Sequence, residues 1–276
     1  MTQPSTTPLP TEFITFAEQL ADESRALIRS RFRQPPEIVT KSDNSPVTPT
    51  DLEVEQLIRR RISDRYPSHG VVGEEYPATA RSAECVWVID PIDGTRAFIA
   101  GRPVFGTLIT LTIGGEPVLG VVDIPIMGER WVGARGHETR LNGEVARTRR
   151  CPDLQAAILL ACSPEYLDGD AAEPFARLAG SVRFSVYDTG TQGYGLIASG
   201  HADIMTAARY YSIVDYLAAV PVIEGAGGLI RDWSGAPLTI ESKDRFIAVG
   251  DPSLLPGVLE ILNNPEARGL AHAESV

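Results

Sequence analysis

Two segments of the chain end an apolar run in carboxylates: Glu74-Glu75 closes VVGEE, and Asp90-Pro91-Ile92-Asp93-Gly94-Thr95 closes VWVID. Pro91 has no amide hydrogen for a sheet ladder, so the strand is expected to stop there. Asp93-Gly94-Thr95 then reads as the opening of a helix, with Asp93 at or before its N-cap. Two carboxylates separated by two residues in a rigid turn, with the Ile92 carbonyl between them, can converge on metal ions. Oxygen-only ligands of this kind suit Mg²⁺. The Gly94 and Thr95 amides at a helix start would add an anion site beside the metals, a combination that suits phosphoryl chemistry. A bare Asp-Pro-x-Asp is more often a capped turn. The six residues DPIDGT, after an apolar strand and 15 residues beyond a GEE, are much more specific.

Two more acids join this set through the elements that carry them. Thr48, Pro49 and Asp51 occupy the N-cap, N1 and N3 places of a helix whose buried stripe is Val54, Leu57, Ile58 and Ile62, so Asp51 lies in the first turn near the positive end of the dipole. Asp215, in YYSIVDYLAAVPVIEGAGG, sits near the start of another apolar helix. Before these, Phe13, Phe16, Ala17, Leu20, Leu27 and Ile28 mark an amphipathic first helix over Thr11 to Phe32. Between Val71 and Val132 the texture is short β-branched runs broken by Gly and Pro, which predicts a largely antiparallel sheet with helices on one side. Beyond Arg150 strands and helices alternate: strands at Ala157 to Ala161, Val182 to Tyr187, Asp203 to Thr206, Gly228 to Asp232 and Phe246 to Val249, and helices after Ala171, from Gly190, from Ser212 and after Pro252. A soft boundary is placed near Arg150. It separates an N-terminal α+β half (11–150) with most of the candidate ligands from a C-terminal α/β half (151–276) with Asp215.

Composition limits the partners. The chain has 276 residues, and 25 basic against 36 acidic side chains give a net charge of −11 with no basic tract, so nucleic acid is not an expected partner. With 43% hydrophobic and 22% charged residues the chain is globular. No apolar stretch approaches the ~18 residues of a membrane span. Residues 1–10 read as a flexible tail and not a signal peptide, which makes the cytoplasm the default location. Cys85, Cys151 and Cys162 have neither disulfide nor zinc spacing, and His69, His137, His201 and His272 have no ligand spacing and are read as structural or surface residues.

The sequence resembles the inositol monophosphatase-like, Mg²⁺-dependent, lithium-sensitive phosphatases. The resemblance covers nearly the whole chain after the tail and rests on SPVTPTD (45–51), GEE (73–75), WVIDPIDGT (87–95), LNG (141–143) and VDYLAAVPVIEGAGG (214–228). It implies a layered αβαβα sandwich of the inositol monophosphatase/fructose-1,6-bisphosphatase type, between α+β and α/β in class, with the metals between the halves, and commonly a homodimer. Carried over residue by residue, Glu74, Asp90 and the Ile92 carbonyl would hold one Mg²⁺ and Asp90, Asp93 and Asp215 a second, with Glu74 aiding a weaker third. Asp51 and Thr95 match the pair that orients and deprotonates the attacking water, Gly94 and Thr95 the phosphate-binding amides, and Glu75 an acid near the metals. Val214 stands where many relatives have Trp.

The segment that sets substrate choice in such relatives departs from their pattern. A glutamate is common there after the short strand; DIMTAARYYSIVD has Thr206, Ala207 and Ala208 instead. Arg209 would turn the pocket toward an anionic or acceptor group unless it only caps a loop. Asp188, Thr189, Gly190 and Thr191 match a substrate loop, and Arg96 and Arg102 are either substrate contacts or surface ion pairs. Asp93, Gly94, Thr95, Gly190, Thr191, Arg209 and Asp215 are thus the candidate substrate contacts. The segments GTRAFIAGRPVFGTLITL and PVLGVVDIPIMGERWVG are more similar to bacterial histidinol-phosphate phosphatases than to animal inositol enzymes. The expected reaction is hydrolysis of L-histidinol phosphate in histidine biosynthesis. Inositol monophosphate, a sugar phosphate or a nucleoside monophosphate are alternatives, and an inactive binding relative is a further one.

Overall fold

The computed structural model describes residues 7–35, 37–41, 44–163 and 168–266. Two amphipathic helices, α1 (Thr11–Arg31) and α2 (Pro49–Arg65), flank a short hairpin of β1 (Val39–Thr40) and β2 (Pro46–Val47). α2 starts where the sequence places it: the Thr48 hydroxyl accepts from the Thr50 amide at 3.2 Å, and the Asp51 carboxylate accepts from the Thr48 amide at 2.9 Å. The ten N-terminal residues are not all tail. Leu9 is buried, its amide donates to the Arg135 carbonyl at 2.9 Å, and its own carbonyl meets His137 Nε2 at 2.9 Å, so an apolar side chain and two hydrogen bonds anchor it. Residues 1–6, and His272, lie outside the described residues.

A seven-stranded sheet runs in order from β3 (Gly70–Gly73) through β4 (Cys85–Asp93), β5 (Gly106–Ile113), β6 (Glu116–Ile124) and β7 (Glu129–Ala134) to the short β8 (Arg140–Leu141) and β9 (Glu144–Val145). Only the β3/β4 pair is parallel. Trp87, Ile89, Ile109 and Val121 pack on α1 and α2, while Val86, Val88, Leu108 and Val122 face a second helical layer. Helices therefore cover both faces of this sheet and not one, as unbroken apolar runs such as VWVI require, since both faces of the strand need cover.

That second layer is α5 (Gln192–Ala198), α6 (Ile213–Tyr216) and α7 (Ala219–Gly225). The single helix expected from Ser212 is two, because Pro221 has no amide to give to the Leu217 carbonyl. Gly120 lets this layer lie directly on β6, since a Cβ there would stand 1.9 Å from the Ala218 carbonyl oxygen. Beyond it lies a five-stranded sheet ordered β11 (Phe184–Tyr187), β10 (Ile158–Ala161), β12 (Ile204–Ala207), β14 (Phe246–Val249), β13 (Leu229–Arg231). β10 is parallel to both neighbours and the β14 pairings are antiparallel. α4 (Ala172–Ala179) and α8 (Leu255–Asn263) close the far face over Leu159, Ile204 and Ile247. The architecture is an αβαβα layered sandwich. Among the described residues no helix is long and apolar enough to cross a membrane.

Candidate functional site

The strand bearing Asp90 does not stop at Pro91. β4 continues to Asp93, with its register against β5 shifting by one residue between Asp90 and Asp93. Pro91 falls inside this bulge, where the ladder asks for no amide hydrogen, and its carbonyl is held by the Thr107 hydroxyl at 2.9 Å. Gly94, at φ +93°, then turns the chain into α3 (Thr95–Ile99). The bulge thus aims Asp90 and Asp93 together. Asp215 comes from α6, where its carboxylate accepts from the Ser212 amide in a capping box.

Carboxylate oxygens of Asp90, Asp93 and Asp215 lie within 4.8 Å of one another. Asp90 is buried, and its Oδ1 has no hydrogen-bond partner among the described residues. Burial raises the pKa of all three acids, and the neighbouring carboxylates raise them further: Glu74 and Asp93 act on Asp90, Glu74 on Asp93, and Asp93 on Asp215. Three converging hard oxygen donors, one of them an orphaned buried anion, are the arrangement a divalent cation stabilises, and Mg²⁺ fits the donor chemistry.

Asp51 is fully buried beside them. Its Oδ1 accepts from the Thr95 hydroxyl at 3.1 Å, and its Oδ2 accepts from the Thr48 hydroxyl at 2.5 Å. Burial pushes its pKa up against these hydrogen bonds. The Thr95 hydroxyl also lies 3.2 Å from the Ile92 carbonyl. Glu74 is near enough for its charge to act on Asp90 and Asp93, but its carboxylate is engaged by Lys41 Nζ at 2.9 Å, and the same ammonium reaches Glu75 at 2.7 Å. Burial lifts Glu75 to about 7 against the pull of Lys41.

Several candidates are placed otherwise than the sequence suggests. Thr191 is fully buried, and its hydroxyl donates to the Asp93 carboxylate at 2.5 Å, so it supports a candidate ligand and has no surface for substrate. Gly190 answers a backbone need, with φ +52° and the Val104 carbonyl oxygen 2.5 Å from where a Cβ would stand. Arg209 pairs with Asp168 at 3.4 Å, and Arg102 pairs with Asp188. Thr206, Ala207 and Ala208 are buried, with the Thr206 hydroxyl donating to the Phe246 carbonyl at 2.8 Å, so they belong to the core and not to a pocket wall.

Lys41 and Glu55 escape the sequence reading. Glu55 is fully buried and accepts from the amides of Glu75 (2.7 Å) and Tyr76 (3.2 Å) and from Arg59 Nε (2.6 Å). A Cβ on Gly73 would stand 2.0 Å from its carboxylate. The available signal was a glutamate next to the apolar stripe of α2, facing a glycine that precedes two acids.

The family model described as "Inositol monophosphatase family" matches residues 9–265. The chain is 41% identical over 259 residues to the bifunctional phosphatase IMPL2, chloroplastic, of Arabidopsis thaliana, covering 91% of this chain and 75% of that one. It is 33% identical over 237 residues to the histidinol-phosphatase of Chlorobaculum parvum, covering 83% and 89%. Among solved structures, an inositol monophosphatase from Zymomonas mobilis superposes with a TM-score of 0.83 at 41% identity, covering 91% of this chain and 97% of that one.

Proposed function

The chain belongs to the inositol monophosphatase family and is a phosphoric monoester hydrolase acting on a small phosphorylated metabolite; on that premise we propose that it hydrolyses L-histidinol phosphate to L-histidinol and phosphate with Mg²⁺ held by Asp90, Asp93 and Asp215. The observation that carries the assignment of the centre is the convergence of these three carboxylates around the unpartnered Asp90 oxygen. Glu74 and the Ile92 carbonyl complete the ligand set once Glu74 leaves Lys41.

Bound Mg²⁺ supplies neutralisation of the phosphate oxygens and of the leaving alkoxide and lowers the pKa of water. The residues of the chain do the rest. The Thr95 hydroxyl donates to Asp51, which leaves its oxygen free to accept a proton from an attacking water. Burial strengthens Asp51 as the base at the end of this relay. The Gly94 and Thr95 amides orient the phosphate, and the Gly190 turn shapes the wall opposite.

Histidinol phosphate is favoured by the relatives named histidinol-phosphatase; the likeness to an inositol monophosphatase of known structure supports inositol monophosphate as the second reading. With the first reading go a place in histidine biosynthesis, two or three Mg²⁺ per chain, inhibition by Li⁺, a homodimer and a cytoplasmic location. Phosphate release from the two esters with and without Mg²⁺, with Asp93→Asn as control, tests it. Expected is Mg²⁺-dependent release that prefers histidinol phosphate and is lost in the variant; a preference for inositol phosphate reverses the substrate assignment.

A further inference from the structure

The carboxylate centre opens into a groove of about 670 Å³. Glu74 and Ser212 form its inner end, Val72, Val214 and Ile240 give it apolar surface, and Asp244 lies on the outer strand of its wall. The inner end is continuous with the centre, because the Ser212 amide is the one that Asp215 caps. Val214 stands where many similar sequences carry Trp, and the smaller side chain leaves room beside Glu74.

Charge in the groove is unevenly neutralised. Arg81 and Glu241 pair at 3.6 Å, whereas half-buried Asp244 has no ion pair or hydrogen bond among the described residues, and neither does the exposed ammonium of Lys243. The backbone beside Asp244 is fixed, since the Tyr216 hydroxyl donates to the Lys243 carbonyl. Asp215 and Asp244 both bear on that hydroxyl, whose pKa burial and the two charges raise, so the carboxylates flank one tyrosine. The segment after β12 offers no acid of its own, with Ala207 and Ala208 buried and Arg209 held by Asp168.

We propose that this groove seats the alcohol portion of the substrate and that Asp244 is the residue that selects a cationic amine on it. The assignment rests on the phosphatase reading above and supplies the acid that an amine-bearing ester requires. A carboxylate meeting an ammonium is a charge-assisted contact, formed with substrate and transition state alike, so its loss falls on KM more than on kcat.

The test compares wild type with Asp244→Asn on L-histidinol phosphate and D-myo-inositol 1-phosphate at saturating Mg²⁺. The readout is the ratio of the two kcat/KM values. The expected result is a ratio lowered about tenfold, carried by a higher KM for the amine ester. Val214→Trp, which fills the groove, is expected to raise KM for histidinol phosphate in the same direction. A ratio within about twofold of wild type in Asp244→Asn overturns the assignment. Wild type that acts on inositol phosphate alone also overturns it, whereas wild type that releases phosphate from neither ester defeats the substrate reading before any variant is compared.

Discussion

Thr191 illustrates how burial reassigns a residue that a motif alone places at the substrate. Its hydroxyl has one proton, which goes to the Asp93 carboxylate, and the side chain has no exposed surface. A hydroxyl that orients a ligand acts on metal affinity before it acts on chemistry. Thr191→Val is therefore expected to raise the Mg²⁺ concentration for half-maximal phosphate release about tenfold, with Thr191→Ser close to wild type. An unchanged Mg²⁺ requirement in Thr191→Val would remove Thr191 from the support of the centre. The carboxylates themselves were legible because DPIDGT and GEE combine residue type with spacing. Lys41 and Glu55 were not, since a single charged side chain near an apolar stripe gives no sign of what it will meet across the fold. Arg209 and Thr206 were misplaced for the same reason: their partners, Asp168 and the Phe246 carbonyl, lie far away in sequence.

At the scale of elements, the turn after β3 depends on α2. Glu55 holds the amides of Glu75 and Tyr76 while Arg59 neutralises it and donates to the Tyr76 carbonyl at 2.9 Å. Breaking one partner of a buried ion pair strands the other charge, so Glu55→Ala is expected to cost about 3–5 kcal/mol of stability, measured by urea unfolding. It should also lower phosphate release, because Glu74 precedes the freed amides. A loss below about 0.5 kcal/mol, the range of ordinary surface substitutions, would contradict the tie. Element types were largely legible: the capping signature fixed the start of α2, and β14 spans the residues expected of it. The errors occurred where proline acts through context. Pro91 sits within a strand because a bulge relieves the ladder, and Pro221 divides a helix that apolar periodicity alone would continue. The second helical layer was hidden for another reason: apolar runs buried on both faces show no alternation to count.

For the whole molecule, the net charge of −11 matters less than where the charge is concentrated. Asp51, Glu75, Asp90, Asp93 and Asp215 all have pKa values raised by burial, so the folded, metal-free chain binds more protons than the unfolded chain above the ordinary carboxylate range. Because stability rises with pH only where the unfolded state binds more protons, the sign here is the opposite: stability falls as pH climbs from about 4 toward neutrality. Glu75, at about 7, sets the upper part of that window. Protein stripped with EDTA is expected to be roughly 1–3 kcal/mol less stable to urea at pH 8 than at pH 5.5. Mg²⁺ should restore stability at pH 8, by about 2.7 kcal/mol at a hundred times its Kd, and should act less at pH 5.5, where protons compete for the same oxygens. Asp90→Asn removes the most buried of these charges, so it should flatten the pH dependence and abolish the Mg²⁺ effect together. A metal-free wild type that gains stability between pH 5.5 and 8 would show that the acids do not share one repulsive site.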